Sequence, residues 1–194
     1  MGPVAFNAGQ KGMTMHPWHD IKVKADQVGE CFQTVIEVPA GSKNKYELDK
    51  SSGMLRLDRV LYGAVHYPVN YGFIPQTFCE DGDPLDVLVV GQEPVQPMTL
   101  ISARAIGVMR MQDEGKADDK IIAVNLHDPA VHEFRNHSEL PSYIMAEIRK
   151  FFEEYKTLEH KEVVIDELQG PEEAENIIRD ALELYRRDIE PHTG

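Results

Sequence analysis

ELPSYIMAEIRKFFEEYK, Glu139–Lys156, is where the chain changes period. Ile144, Ile148, Phe151, Phe152 and Tyr155 recur at helical spacing, so an amphipathic helix is expected here, with Ser138 as its N-cap and Pro141 near its first turn. A second helix is expected in GPEEAENIIRDALELYRRDI (Gly170–Ile189). Pro171 and two glutamates open it, where the helix dipole favours negative charge, and Ala174, Ile177, Ile178, Ala181, Leu184 and Tyr185 form its apolar stripe. Upstream the rhythm differs. From Cys31 to about Asn125 the chain reads as short strands between turn residues. In CFQTVIEVP, Val35 and Glu37 share one face, and Thr34, Ile36 and Val38 the other. KYELD (Lys45–Asp49) and MLRLDRVLY (Met54–Tyr62), joined through Ser51–Gly53, predict a hairpin. Asp86–Val90, Ile101–Met109 and Ile121–Val124 are further strand candidates. Strands followed by helices predict an α+β fold, a small barrel or curled sheet flanked by C-terminal helices.

The chain has 194 residues, 42% of them hydrophobic, enough for one sizeable core. Its formal charge of −13 argues against a general nucleic-acid or anionic-membrane binder, which would present a basic face. Two cysteines, Cys31 and Cys79, do not make a disulfide framework, and a reducing compartment is expected. No segment is long and apolar enough to span a bilayer, and the first twenty residues lack a signal-peptide pattern. Residues 1–15 read as a flexible arm, and 16–194 as one domain.

CEDGDPLDVLVV, Cys79–Val90, crowds Asp81, Asp83 and Asp86 at the mouth of an apolar run. Two unit charges ~4 Å apart at an effective dielectric of 20 repel by about 4 kcal/mol, and a bound cation offsets that most simply. An EF-hand starting at Asp81 fails, because Leu85, Asp86 and Gln92 stand where Asp or Asn, Gly and Glu are needed. Phosphatases with an aspartyl nucleophile place an apolar strand before their D-x-D, whereas here it follows. A solvated turn built on Gly82 and Pro84 is the plain alternative, evenly weighted on this segment alone. Glu37 and Glu47 on neighbouring strands, and Asp113, Asp118 and Asp119 in MQDEGKADDK, add oxygen ligands. An oxygen-only set selects Mg²⁺ or Mn²⁺ over zinc. Lys43, Lys45, Lys50, Arg56 and Arg59 gather on the first hairpin, Tyr67 and Tyr71 follow in HYPVNYGFIP, and Tyr155-Lys156 ends the first helix. Cations beside metal-binding acids suit a phosphate polyanion. Taken singly, the cations also suit surface pairing with Glu47 and Asp58, and the tyrosines suit core packing. The His16/His19 and His127/His132 pairs are expected to pack, since no Cys or third His lies at ligand spacing.

EDGDPLDVLV resembles the signature of the soluble family I inorganic pyrophosphatases. VIEVPAGSKNKYELDKSSGMLRLDR, YPVNYGFIP, DEGKADDK and FFEEYK resemble the family's other blocks in the same order, over roughly residues 16–188. MHPWHDI resembles the plant-like branch. The resemblance implies an OB-like five-stranded β-barrel with flanking helices, and Mg²⁺-dependent hydrolysis of pyrophosphate to two orthophosphates. It implies Asp81, Asp86 and Asp118 as main metal ligands, with Asp86 shared between two ions. Asp113, with Asp118, would take a metal that arrives with substrate, and Glu37 and Glu47 would act through water. Asp83 would orient or deprotonate the attacking water. Lys45, Arg59, Lys120, Tyr71, Tyr155 and Lys156 would grip the phosphates, supported by Tyr67. HKEVVIDELQ (His160–Gln169) aligns poorly with the family and carries no assignment. A cytoplasmic homo-oligomer, with a hexamer favoured, is implied in the same way. Two rivals differ in kind. An oligonucleotide-binding barrel needs a basic groove with stacked aromatics. Another phosphohydrolase needs a nucleotide or polyphosphate site.

Overall fold

A computed structural model describes residues 15–160 and 163–192. The expected arm, Met15 apart, lies outside the described residues. The strands are β1 (Phe32–Val38), β2 (Asn44–Leu48), β3 (Leu55–Val60), β4 (Asn70–Phe73), β5 (Asp86–Val90), β6 (Leu100–Asp113), β7 (Lys116–Ala117), β8 (Lys120–Asn125) and β9 (Val163–Gln169). The helices are α1 (Ser142–Glu154) and α2 (Pro171–Asp188).

Five strands form a closed ring. The order β1-β4-β5-β8-β6 returns to its start because β1 also pairs with β6, Phe32 opposite Ala103 and Val35 opposite Leu100. All these pairings are antiparallel except β5–β8. Closure hides the backbone donors and acceptors that an open edge would expose. The fold is therefore α+β, with an OB-like barrel and two C-terminal helices. The fourteen residues of β6 outrun the ring, and β7 and β9 pair with their far end. The unassigned stretch HKEVVIDELQ thus supplies an edge strand, β9.

Side-chain alternation sorts the core. On β5, Val87 and Val89 pack with Ala174, Ile178, Ala181 and Leu182 of α2, whereas Leu88 and Val90 pack with Ile148, Phe151 and Phe152 of α1. One strand therefore feeds two apolar clusters, which is why its sequence is a continuous apolar run. β1 is likewise buried on both faces, with Val35 beside Trp18, Phe73 and Tyr185. Glycine is required where strands cross closely: a Cβ on Gly72 would lie 1.9 Å from the Val35 carbonyl oxygen.

Two helical details depart from expectation. Ser138 does not cap α1. It lies in a separate 3₁₀ turn, His137–Glu139, capped by Asn136, and α1 begins after Pro141, whose ring favours a chain entry point. On α2, Leu182 is buried where the stripe included Leu184, because the face that meets the barrel is rotated slightly around the axis.

Candidate active site

The loop before β5 is a tight turn. Gly82 N–H donates to the Cys79 carbonyl at 3.0 Å, and Cys79 N–H to the Asp83 carbonyl at 2.9 Å. Gly82 has φ +91, which glycine adopts without strain. Asp83 N–H also donates to Asp81 Oδ1 at 3.0 Å. The turn chemistry and the acidic cluster are thus one feature: folding the turn leaves the Asp81 and Asp83 carboxylates exposed at its surface.

Alternation brings the remaining groups to the same place. Asp86 shares its strand face with Leu88 and Val90, the face covered by α1. Lys120 shares its face with Ile122 and Val124 on the adjacent strand β8. Tyr71, opposite Leu88, belongs to the same cluster as Phe152 and Tyr155. Glu37 comes from β1, Lys45 and Glu47 from β2, Asp113 from the end of β6, and Lys156 from just beyond α1. They line one cleft of about 740 Å³ together with Asp81, Asp83, Asp86 and Asp118. Of the anticipated residues, Tyr67 lines it as well, while Arg59 does not. Arg59 stands opposite Lys45 on the hairpin, bound to Asp58 at 2.5 Å and Glu159 at 2.9 Å, and its Nη2 is buried without a partner. Asp119 faces away, ion-paired to Arg110 at 2.9 Å. Asp49, Lys50, Arg56 and Lys116 also line the cleft; Lys50 and Arg56 belong to the hairpin cations expected near a polyanion, whereas the charge pattern gives Asp49 and Lys116 no such mark.

Ammonium groups compensate the carboxylates. Lys120, 3% exposed, is held by Asp86 and by Asp118 Oδ1 at 2.5 Å. Lys156 binds Asp113, Lys50 binds Asp83, and Lys45 binds Glu47 at 2.5 Å and Asp58 at 3.7 Å. Burial by itself would lower the Lys120 pKa, but Asp86 and Asp118 outweigh it and hold the group well above the usual lysine range. Glu37 is pushed up to about 8, first by burial and then by Asp86, although its Oε1 accepts the Leu48 N–H at 2.7 Å. Although Asp81 reaches the surface, partial desolvation by the cleft beside it, with the neighbouring Asp83, Asp86 and Asp118, raises its pKa. Tyr71 and Tyr155 are raised by burial, so their hydroxyls stay protonated donors.

The donor set fits a hard divalent cation. It is carboxylate oxygen throughout, without Cys or His. Asp113 Oδ1 is buried with no partner, an acceptor left open. Among the described residues no three acidic, His or Cys groups close into a protein-only cage. Mg²⁺ does not require one, since it keeps several waters and uses few carboxylates plus substrate phosphate.

The profile of the inorganic pyrophosphatase family matches residues 34–186. Soluble inorganic pyrophosphatase 2 of Chlamydomonas reinhardtii is 52% identical over 181 residues, 93% of this chain and 94% of that protein. The soluble inorganic pyrophosphatase of Oryza sativa subsp. japonica is 52% identical over 94% of this chain and 85% of its own length. Among solved structures, the inorganic pyrophosphatase of Thermus thermophilus superposes with a TM-score of 0.83 at 38% identity, covering 89% of this chain and 99% of that one. With matches over nearly its whole length, the chain belongs to the inorganic pyrophosphatase family.

Proposed function

We propose that this inorganic diphosphatase hydrolyses pyrophosphate to two orthophosphates by direct attack of water, with Mg²⁺, or alternatively Mn²⁺, as cofactor. The observation that carries the proposal is the convergence of Asp81, Asp86, Asp113 and Asp118 with Lys45, Lys120 and Lys156 in one cleft of a family member. Asp81, Asp86, Asp113 and Asp118 would hold the metal, with Glu37 and Glu47 bound to its waters. When bound, the metal supplies charge neutralisation and a water of lowered pKa.

The chain's own groups do the rest. Asp83 is exposed at the cleft, where its carboxylate orients the attacking water or accepts its proton. The water oxygen bonds to one phosphorus, the bridging P–O bond breaks, and the bridging oxygen leaves with the second phosphate. Lys45, Lys120 and Lys156 balance the charge that spreads over the phosphoryl oxygens, and Arg59, held by Asp58 and Glu159 outside the cleft wall, adds its charge from farther off. Tyr71 and Tyr155 donate hydrogen bonds from hydroxyls that burial keeps protonated. Holding water and phosphorus in line contributes up to ~7–11 kcal/mol in favourable systems. No covalent phosphoenzyme is needed.

The proposal treats residues 16–194 as the catalytic domain of a cytoplasmic enzyme. It includes self-association, a hexamer being the favoured state. Leu57, Val60 and Tyr62 support that part, since they expose 51%, 52% and 62% of their surface on or beside the hairpin. Phosphate release from pyrophosphate, ATP and tripolyphosphate, each with Mg²⁺ and with EDTA, tests the activity. Release from pyrophosphate that EDTA abolishes is expected, and preference for ATP or metal-independent turnover would overturn the proposal. Sedimentation velocity tests the assembly, and a monomer at micromolar concentration would overturn that part.

A further inference from the structure

The block HPWHD, His16–Asp20, has no residue in the cleft, yet it is fastened to the loop that carries Asp81, Asp83 and Asp86. Trp18 is the chain's single tryptophan and is 4% exposed. Its Nε1 donates to the Thr77 carbonyl at 2.8 Å, and its own carbonyl accepts the Gln76 N–H at 2.9 Å. Gln76 Nε2 donates to the His19 carbonyl at 2.8 Å. Gln76 sits at φ 55, a left-handed conformation that a non-glycine residue keeps only when its surroundings hold it. The Trp18 ring lies 6.4 Å from Phe78, the residue before the acidic turn. Behind it, His19 Nδ1 is 2.7 Å from the Tyr185 hydroxyl of α2.

The other side of the block holds a lysine. His16 Nε2 meets the Lys50 carbonyl at 3.1 Å, and Lys50 Nζ lies 5.9 Å from the Trp18 ring centroid. That ammonium donates to the Gly82 carbonyl at 2.7 Å and is ion-paired with Asp83. The tip of the acidic turn is thus gripped by a lysine at the cleft's edge. Its base is gripped through Thr77 and Gln76.

We propose that His16–Asp20 and Lys50 are a positioning element for the acidic turn: Trp18 fixes the base of the turn, and Lys50, seated against Trp18 and His16, fixes the Gly82 carbonyl and the Asp83 carboxylate at its tip. The physical need is plain. Exposed loops move, and adjacent carboxylates push one another apart. A 1 Å misplacement costs catalysis about 100-fold. The proposal rests on the role given above to Asp81, Asp83 and Asp86.

The test uses the full chain with Lys50→Met, which keeps the stem and removes the charge, and Lys50→Arg, which keeps the charge. Calorimetric titration with MgCl₂ alone is compared with Mg²⁺-dependent phosphate release from pyrophosphate. For Lys50→Met, about threefold to tenfold weaker Mg²⁺ binding, about tenfold lower kcat and KM within about twofold are expected, with Lys50→Arg restoring most of each loss. The metal-free melting temperature stays at the wild-type value. Wild-type Mg²⁺ binding and kcat in Lys50→Met would overturn the proposal, as would a loss that Lys50→Arg fails to restore or that follows a lowered melting temperature. Trp18→Phe, assayed below its melting transition, should show the same loss of Mg²⁺ binding and kcat together with a lowered melting temperature, since the buried Thr77 carbonyl loses its donor; should this variant not fold, the Lys50 pair decides. A wild-type chain that leaves pyrophosphate intact would refute the functional reading instead, and the MgCl₂ titration would still judge the positioning element.

Discussion

Asp86 occupies the first position of β5, where the chain passes from turn to barrel wall, and its carboxylate meets Lys120 while facing Glu37 and Tyr71. Replacing it by Asn keeps the shape but removes the charge that pairs with Lys120 and that the proposed metal would require. Asp86→Asn is expected to lower kcat by roughly 100-fold or more, above what supporting groups cost, with an unchanged circular dichroism spectrum. Near wild-type turnover at saturating Mg²⁺ would remove Asp86 from the metal set. Lys45 is the simplest test of charge on the substrate side. It lines the cleft with 18% of its side chain exposed, and the Glu47 and Asp58 carboxylates restrain it. Lys45→Ala should reduce kcat/KM by roughly 10–100-fold. Unaltered steady-state kinetics would place it outside the site. Arg59→Ala should cost less than Lys45→Ala, because Asp58 and Glu159 hold its guanidinium outside the cleft wall. The same assay ranks the two variants, and the reverse order would show that Arg59 reaches the substrate.

At the level of elements, the hairpin, the two helices and most of the strands were legible in the sequence because each obeys a local period. The alternation in KYEL and the helical spacing in FFEEY act within a few residues of themselves. Ring closure was not local. Thr34 and the carbonyl of Ile101, bonded at 3.3 Å, are sixty-seven residues apart, and alternation marks which face is buried without naming the partner strand. The five-strand count therefore came from resemblance, not from period. β9 escaped for a related reason. It is an edge strand, partly exposed, and its burial pattern is too mixed to give a clear alternation. The start of α1 was misplaced because Asn136 captures the Ser138 N–H at 3.0 Å and closes a short turn of its own. At the site, the acids of D-G-D-P-L-D were legible by their density. That Asp118 faces the cleft while Asp119 pairs with Arg110 depends on strand register, which charge pattern does not encode. Gly72 shows what register demands of an element. With the Val35 oxygen 1.9 Å from its would-be Cβ, Gly72→Ala must push β4 away from β1. A loss of roughly 3 kcal/mol in urea unfolding is expected. An unshifted midpoint would mean that the two strands separate freely there.

For the molecule as a whole, the formal charge of −13 sets the terms on which it folds and binds. Asp81, Asp83, Asp86, Asp113 and Asp118 share one cleft, so the metal-free fold works there against local repulsion, relieved in part by Lys45, Lys50, Lys120 and Lys156. Unfolding would disperse these carboxylates and abolish the site. A cation that binds only the folded chain therefore stabilises it by mass action. At a free Mg²⁺ concentration one hundred times its dissociation constant, the gain is about 2.7 kcal/mol for one site. For a chain of this size that corresponds to a rise of roughly 5–10 °C in melting temperature. Two controls separate binding from general screening. NaCl at equal ionic strength should reproduce only a small part of the rise, since compact pairs inside a cleft are screened less than exposed ones. Asp86→Asn should lose most of the Mg²⁺-specific increment while keeping the NaCl response. A thermal scan in which MgCl₂ and NaCl act alike at matched ionic strength would count against metal held by the folded cleft, and with it against the cofactor proposed for the reaction.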